Sequence, residues 1–239
     1  MGKLQNGTWF LLVMILFLGC SDNMQKRHRT VCRFTDKSPV FDNAYHRTDW
    51  EKAKLIHLVN NNGEKAGKKP AWRSTVQCLW NDDYFYVIFL FEDFKIQKSS
   101  LRPGQNVWSD PHYEIAEVII SPTSSSNEYF EFNFNHEGAQ SCFQVLWVSN
   151  KPSWNSNWFN KPILTSTGRL EKEKDEIQGW FVQAAIPWRI FRAKPEKGTS
   201  CLINFHRAEA DLEFPFLSWS PTLIGFFHVP KKFGKIFFK

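Results

Sequence analysis

A strict alternation of apolar and polar side chains runs from residue 128 to residue 135, in the order Glu-Tyr-Phe-Glu-Phe-Asn-Phe-Asn. Successive side chains of a β-strand point to opposite faces, so Phe130, Phe132 and Phe134 share one face and the polar residues share the other. The pattern therefore predicts a strand whose phenylalanine face enters the core. The opposite face, which is predicted to be exposed or to line a groove, carries Tyr129, Glu131, Asn133 and Asn135.

Other strands are predicted from short apolar runs bounded by turn-forming residues. The runs 75–80 and 84–91 flank Asn81-Asp82-Asp83, which predicts a hairpin. The runs 163–170 and 179–186 are predicted to pair across a charged turn. Further strands are expected at 113–120, 143–148, 202–207 and 235–238, whereas 150–161, which is rich in Trp and Asn, is predicted to be a loop.

Many short strands with turns between them predict an all-β fold, a β-sandwich of mainly antiparallel strands. No segment shows a sustained helical period, and no repeat of solenoid length occurs. About two hundred residues remain after an N-terminal segment is removed, which suits a single domain. Eleven Trp and 23 Phe supply the apolar bulk for its core. We predict this domain over residues 39–239.

The N-terminal segment has the pattern of an export signal. The apolar run from Trp9 to Leu18 is too short to span a bilayer and has the length of a signal-peptide core. The tetrapeptide Phe17-Leu18-Gly19-Cys20 resembles a bacterial lipobox, with Phe where Leu is usual. We therefore predict a lipoprotein signal peptide at 1–19, lipidation of Cys20 and a polar tether at 20–38. A cleaved signal without lipid and an uncleaved anchor remain alternatives.

These features predict an exported protein, anchored by lipid in the bacterial cell envelope, either in the periplasm or on the outer-membrane surface. The net charge of +6 comes from short, separated basic clusters, and no basic stripe of the kind that binds nucleic acid is present. Nucleic acid is therefore not an expected partner. Four further cysteines, which could form disulfides or remain buried thiols, are Cys32, Cys78, Cys142 and Cys201.

Several motifs in order along residues 41–238 resemble the carbohydrate-binding modules of family 9, especially the family-9-like domains of exported bacterial lipoproteins. That family has a β-sandwich fold related to the DOMON-like group. The motifs are Phe41-Asp42 with Asp49-Trp50, Leu79-Trp80-Asn81-Asp82 with Tyr86-Val87, Trp108 to Glu114, Tyr129 to Asn135 with Gly138, Gly179-Trp180 with Ile186-Pro187-Trp188, Asn204 with Arg207, and Trp219-Ser220-Pro221 with Phe227-His228-Val229-Pro230 and Phe233-Gly234.

The resemblance implies non-catalytic binding of a polysaccharide or oligosaccharide, whose sugar ring is clamped between two Trp rings. Indole faces suit the apolar C–H face of a sugar, and charged and amide groups suit its hydroxyl rim. No cofactor is implied, although a structural calcium ion is compatible with the family. The implied binding residues are Trp108 and Trp219 as the two rings, Glu114, Asn204 and Arg207 as hydrogen-bonding partners, and Asn133 and Asn135 as further candidates.

The chain departs from the family pattern at two places. Asp42-Asn43 stands where the family often has Asp-Gly, and the segment containing Trp154 and Trp158 is not part of the pattern. These two Trp residues form either a second stacking surface or a loop folded over its own rings.

Two other functions stay open. A glycoside hydrolase, or an accessory subunit acting on polysaccharide, would need two carboxyl groups at a set separation. A haem-binding DOMON-like domain would need an axial ligand, but Met1, Met14 and Met24 are the only methionines and lie in or beside the targeting segment. The candidate carboxyl groups for hydrolysis are Asp110, Glu114, Glu117, Glu128 and Glu131.

Overall fold

The computed structural model describes residues 27–92, 99, 101, 105–149, 151–159, 161–172, 176–210 and 215–239, with the backbone alone at 171–172 and 176–178. The predicted signal peptide, Cys20 and all three methionines lie outside the described residues. Within the described ranges, no helix is long and apolar enough to cross a membrane.

The described residues form strands joined by turns and short 3-10 segments, and contain no α-helix. The 3-10 segments are Arg47–Trp50, Gly63–Lys65, Val107–Ser109, Trp188–Ile190 and Pro230–Lys232. The strands are β1 (Arg29–Phe34), β2 (Ile56–His57), β3 (Val59–Asn60), β4 (Ser74–Trp80), β5 (Tyr84–Glu92), β6 (Glu114–Ser121), β7 (Glu128–Phe134), β8 (Gln140–Val148), β9 (Lys151–Asn155), β10 (Leu164–Lys172), β11 (Glu176–Pro187), β12 (Ser200–Glu209), β13 (Phe216–Ser218) and β14 (Gly234–Phe238).

The strands form one curled sheet that folds into two facing layers. Its main order is β10-β11-β5-β4-β1-β14-β12-β6-β7-β8-β9. Strand β1 joins the layers, because it pairs in parallel with β14 on one side and with β4 on the other. The remaining pairings between described strands are antiparallel. The predicted all-β sandwich of mainly antiparallel strands is confirmed.

The main core lies between the two layers. Phe89 of β5 meets Phe205 of β12 edge to face, with ring centroids 6.2 Å apart. Phe130, Phe132 and Phe134 of β7 are buried in the same core, as the alternation in this strand predicts. Burial of each such ring contributes on the order of 2–3 kcal/mol, so the aromatic core is the main source of stability.

A second cluster of buried side chains covers the outer face of β6, β7, β8 and β12. It includes Ile115 and Ile119 of β6 and Tyr129 of β7. The segment after β13 contributes Phe227 and Phe233 to this cluster. Both faces of this layer are therefore buried, which explains why β6 reads as a nearly continuous apolar run rather than as an alternating one.

Five strands form where the sequence predicts none, namely β1, β2, β3, β9 and β13, and the longest of these are β1 and β9. Lys151–Asn155 forms β9, which pairs with β8 at the edge of the sheet, where Pro152 is tolerated because an edge strand leaves some N–H positions unused. Arg29–Phe34 forms β1 within the predicted tether. Its apolar character is masked in sequence by Arg29 and Arg33, while Cys32 between them is buried in the core.

Candidate functional site

A cavity of about 430 Å³ opens on the outer face of the layer that contains β6 to β9. Trp108, Trp154 and Phe143 supply apolar walls, and Glu117 and Glu131 supply acidic groups. The segment 225–228, which follows β13, covers another side of the cavity. Small-molecule sites commonly have volumes of about 300–1,000 Å³, so this cavity is large enough for such a ligand.

Beside the cavity, a polar row crosses five neighbouring strands at one level of the sheet. Glu117 of β6 lies directly opposite His206 of β12 and directly opposite Asn133 of β7. The row continues to Ser218 of β13 on one side and to Ser141 of β8 on the other. Directly opposed side chains on one face are about 4.5–5.5 Å apart at Cβ, so the register itself gathers these groups.

Glu117 is fully buried, and neither of its carboxyl oxygens has a hydrogen-bond partner among the described residues. Its Oε1 lies 4.0 Å from His206 Nε2, beyond hydrogen-bond distance. Burial raises the pKa of this carboxyl well above its ordinary value, and the nearby Glu131 raises it further. Burying a polar group without a hydrogen-bond partner costs free energy, so Glu117 is suited to form a hydrogen bond with a ligand.

Glu131 is the most heavily hydrogen-bonded group of the cavity. Its Oε1 accepts from Asn133 Nδ2 at 2.6 Å, and its Oε2 accepts from Trp154 Nε1 at 2.8 Å. Burial raises the pKa of Glu131, and hydrogen bonding from Asn133, Trp154 and Trp108 opposes that rise. Both cavity indoles therefore act on the same carboxyl group, Trp154 through a direct hydrogen bond.

The two indoles remain partly open to solvent. Trp154 is 45% exposed, and its ring meets His228 edge to face at a centroid distance of 5.0 Å. Trp108 is partly exposed and packs against Tyr113 at 5.2 Å. The short turn that carries Trp108 is closed by Asn106, whose Oδ1 accepts from the Trp108 backbone N–H at 3.1 Å. The exposed parts of both rings are available to a ligand.

A hydrogen-bond network fixes His228 at the cavity wall. The Trp147 indole donates to the Tyr129 hydroxyl at 3.0 Å, and that hydroxyl lies 2.9 Å from His228 Nδ1. Because an indole can only donate, the Tyr129 proton is free to go to Nδ1, which leaves the ring proton of His228 on Nε2. Nε2 faces Glu131 Oε2 at 3.5 Å. Burial lowers the pKa of His228 to about 3, so the ring is neutral at physiological pH.

His206 is held by a similar chain of contacts. The Ser218 hydroxyl donates to Asn61 Oδ1 at 2.7 Å, so it accepts from His206 Nδ1, which lies 2.6 Å away. The remaining nitrogen, Nε2, is then an acceptor, and it has no hydrogen-bond partner among the described residues. Burial lowers the pKa of His206 well below its ordinary value. The ring stacks on Phe227 at a centroid distance of 4.0 Å.

The structure places Trp108 at the cavity and Asn133 beside it. The Asn133 amide donates to Glu131, while its Oδ1 is buried without a partner among the described groups. Asn135 shares the same strand face, but its Oδ1 accepts from the backbone N–H groups of Glu137 and Ala139 at 3.1 and 2.8 Å. Asn135 thus closes the turn that leads into β8.

Glu114 and Arg207 lie together on the other face of the layer, inside the main core. Glu114 Oε1 accepts from the Trp180 indole and lies 3.4 Å from a guanidinium nitrogen of Arg207. Arg207 also pairs with Glu209 at 2.5 Å and packs over Phe91 at 4.7 Å. The structure therefore brings these two predicted residues together as a buried ion pair, but it does not bring them to the Trp108 cavity.

Asn204 and Trp219 are also placed away from the cavity. The Asn204 side chain donates to the Ser220 carbonyl at 2.8 Å and accepts from the Ser220 N–H at 3.0 Å, so both ends of its amide are used. Trp219 is 8% exposed and packs in the main core against Phe205, at 5.9 Å, and against the backbone at Gly234. The ring that accompanies Trp108 at the cavity is Trp154.

Sequence reasoning gave no binding role to Glu117, His206 and His228, and left Trp154 undecided. One signal was available for Glu117, because it interrupts the apolar run of β6 three residues after Glu114 and must therefore point to the opposite face. No comparable signal exists for Trp154, whose segment lacks a strand pattern. Among the described residues, no group of three or more His, Cys, Asp or Glu is arranged to hold a metal ion.

Solved structures with the same fold include carbohydrate-binding proteins. A protein from Bacteroides uniformis, described as a candidate carbohydrate-binding protein, is 19% identical with a TM-score of 0.67, covering 89% of this chain and 100% of that one. A carbohydrate binding module of family 9 from Caldicellulosiruptor kristjanssonii, in complex with cellotriose, is 16% identical with a TM-score of 0.57, covering 88% and 93%. Its complex with glucose gives 17% identity and a TM-score of 0.55, covering 88% and 95%.

At the level of sequence, the chain is 23% identical over 166 residues to endo-1,4-beta-xylanase A of Thermotoga maritima. This match covers 67% of the chain but only 13% of the length of the xylanase. The family model described as "carbohydrate family 9 binding domain-like" matches residues 42–239, which is most of the chain. The resemblance predicted from the sequence motifs is thereby confirmed. The chain belongs to the carbohydrate family 9 binding domain-like family.

Proposed function

We propose that the chain binds a saccharide, without cleaving it, in the cavity between Trp108 and Trp154. The observation that carries this proposal is that two partly exposed indole rings line one cavity with Glu131, which accepts a hydrogen bond from Trp154. A carboxyl group that holds the Trp154 ring in place helps to preform an apolar site. Such preorganisation reduces the entropy lost when a ligand binds.

The polar row supplies partners for the hydroxyl groups of the sugar. Both oxygens of Glu117, Nε2 of His206 and Oδ1 of Asn133 are buried without a hydrogen-bond partner among the described residues. Each unsatisfied buried polar group costs roughly 1–3 kcal/mol, which a well-placed hydroxyl would recover. The apolar face of the sugar would pack on the indoles, where each aromatic contact contributes roughly 0.5–1.5 kcal/mol beyond the area it buries.

Glucose and cello-oligosaccharides are the first ligands to test, because related modules of this family have been solved with glucose and cellotriose. Isothermal titration calorimetry of the full chain, purified in detergent, should detect saturable binding to at least one member of a neutral saccharide panel. Trp108→Ala and Trp154→Ala should each abolish it, whereas Trp72→Ala, at an exposed Trp outside the cavity lining, should not. Binding that survives both cavity substitutions would refute the site.

Glycoside hydrolysis is the second candidate. It is favoured by one observation, namely that Glu117 and Glu131 are two buried carboxyl groups of raised pKa at one cavity. A general acid of a glycosidase needs a raised pKa. Release of reducing ends from a polysaccharide that binds, lost in Glu117→Gln, would establish the hydrolase. Binding without release supports the non-catalytic module.

We further propose that residues 1–19 direct export and that Cys20 carries the lipid that anchors the domain in the bacterial cell envelope. The apolar run and the Phe-Leu-Gly-Cys tetrapeptide support this proposal. Expressed in a bacterium, the chain should partition with membranes and carry a lipid mass on Cys20. Cys20→Ala should release it or leave the signal uncleaved, and an unmodified, membrane-free wild type would contradict the anchor.

A further inference from the structure

No cationic side chain lies among the described residues that line the cavity with the acidic groups. Glu117 projects from β6 and Glu131 from β7, and the described residues that line the cavity include no Lys or Arg. The buried guanidinium of Arg207 lies on the other face of the layer, where it contacts Glu114 and Glu209. A ligand that enters this cavity therefore meets acidic groups without a counter-charge on the described walls.

The other titratable groups around these carboxyl groups are neutral. His206 of β12 and His228 of the segment 225–228 both have lowered pKa values because they are buried. Tyr129 of β7 has a raised pKa, and burial is again the main cause. None of these three side chains supplies positive charge to the cavity near neutral pH.

Two side-chain donors at the cavity are already engaged. The amide of Asn133 and the indole N–H of Trp154 donate to Glu131. At the cavity, the atoms left without a partner among the described residues are the Glu117 carboxyl oxygens, Asn133 Oδ1 and His206 Nε2, and the last two can only accept. These acceptors match a ligand that brings its own donors.

We propose that the cavity selects uncharged saccharides and rejects sugars that carry a carboxylate or sulfate group. This inference rests on the proposed saccharide binding and names the class of sugar that the site takes. A neutral sugar hydroxyl donates to the free acceptors and adds no charge. An anionic group brings acceptors only, meets the free acceptors Asn133 Oδ1 and His206 Nε2, and is repelled by Glu131 across a short distance.

The test compares matched pairs of sugars that differ only at the terminal carbon. The full chain is titrated with glucose and glucuronic acid, galactose and galacturonic acid, and mannose and mannuronic acid at pH 7. In any pair whose neutral member binds, the uronic acid should bind roughly tenfold more weakly or worse. Equal or tighter binding of a uronic acid overturns the inference while leaving saccharide binding intact. Binding of no sugar in the panel contradicts the proposed function itself.

Charge-neutral variants test the cause of the selection. Glu117→Gln and Glu131→Gln keep nearly the same shape and remove one acidic group each, so the affinity gap between neutral and acidic sugars should narrow in at least one of them. Glu51→Gln, at an exposed carboxylate outside the cavity lining, is the matched control and should leave the gap unchanged. A gap that is unchanged in both cavity variants, with folding confirmed by thermal melting, contradicts the role of these carboxyl groups.

Discussion

The indole N–H of Trp154 donates a hydrogen bond of 2.8 Å to Oε2 of Glu131, although the two residues lie on strands that do not pair directly. Strand β8 separates them, so the long Trp side chain reaches across it. The bond has two effects. It gives the buried Glu131 a partner, and it fixes the orientation of a ring that would otherwise be free at an edge strand. A partly exposed aromatic ring held in this way is a typical feature of a binding surface.

Replacing Trp154 should change the affinity for saccharide much more than the stability of the fold. Because the ring is 45% exposed, Trp154→Ala should lower the free energy of unfolding by no more than about 2 kcal/mol. The same change should weaken saccharide binding by at least roughly tenfold. Calorimetric titration and chemical denaturation measure the two effects independently. A large loss of stability with unchanged affinity would make Trp154 a packing residue.

Trp219 should behave in the opposite way. It is packed in the main core, so Trp219→Ala should cost roughly 3–5 kcal/mol of stability. Trp219→Phe keeps much of the packing and should preserve both the fold and saccharide affinity. A loss of binding in a stably folded Trp219→Phe variant would show that the family-based assignment of this ring as the second sugar contact is correct.

The buried pair of Glu114 and Arg207 should likewise support the fold rather than the ligand. Arg207→Met removes the guanidinium that pairs with both Glu114 and Glu209, and breaking a buried ion pair in this way typically costs about 3–5 kcal/mol. Affinity measured on the folded fraction at low temperature should stay near the wild-type value. A folded Glu114→Gln variant that fails to bind saccharide would instead show that Glu114 contributes to the binding site.

The pH dependence of stability should reveal the buried proton of Glu117. Its pKa is raised in the folded state above the ordinary value of 4.5, so the folded protein holds this proton more tightly than the unfolded chain does. Its contribution is complete below about pH 4.5 and is lost as the pH rises toward the folded pKa. Denaturation series should therefore show Glu117→Gln gaining stability relative to wild type as the pH increases. A pH-independent difference would contradict the raised pKa.

His228 should make stability depend on pH in the opposite direction. Its pKa falls from 6.5 to about 3 on folding. Between these two pH values, the imidazole is protonated in the unfolded chain and neutral in the folded one. The stability that depends on the neutral ring is present above pH 6.5 and is lost as the pH falls toward 3. The slope reaches about 1.4 kcal/mol per pH unit for one such group. His228→Gln should flatten the acid limb of the stability curve, and an unchanged limb would contradict the assignment.

The sequence predicted the scaffold better than the site, for a physical reason. The alternation in β7 identified both its core face and its polar face, since a period of two follows from strand geometry alone. Trp108 was predicted as a binding residue from the resemblance to the family 9 modules. The partner of Trp108 could not be found, because contacts between β9 and β7 depend on register and on a side chain crossing an intervening strand.

The family motifs relate residues by their spacing along the chain, and they do not show on which face of the sheet each side chain lies. Glu114 and Arg207 share an ion pair, but on the core side of the layer, whereas Glu117 and His206 are their neighbours on the cavity side. A shift of three residues in β6, or of one in β12, moves a side chain through the sheet. The pairing register of the strands determines which of these two pairs faces the cavity, and the register is known only from the structure.

The proposed saccharide site consists of the two indoles and the polar row. A crystal structure of the chain grown with cellotriose tests it most directly. We expect a sugar ring in contact with Trp108 and Trp154, with at least one hydroxyl within about 3.2 Å of a Glu117 oxygen. A cellotriose bound elsewhere, or a cavity that stays without sugar at saturating concentration, would contradict the account.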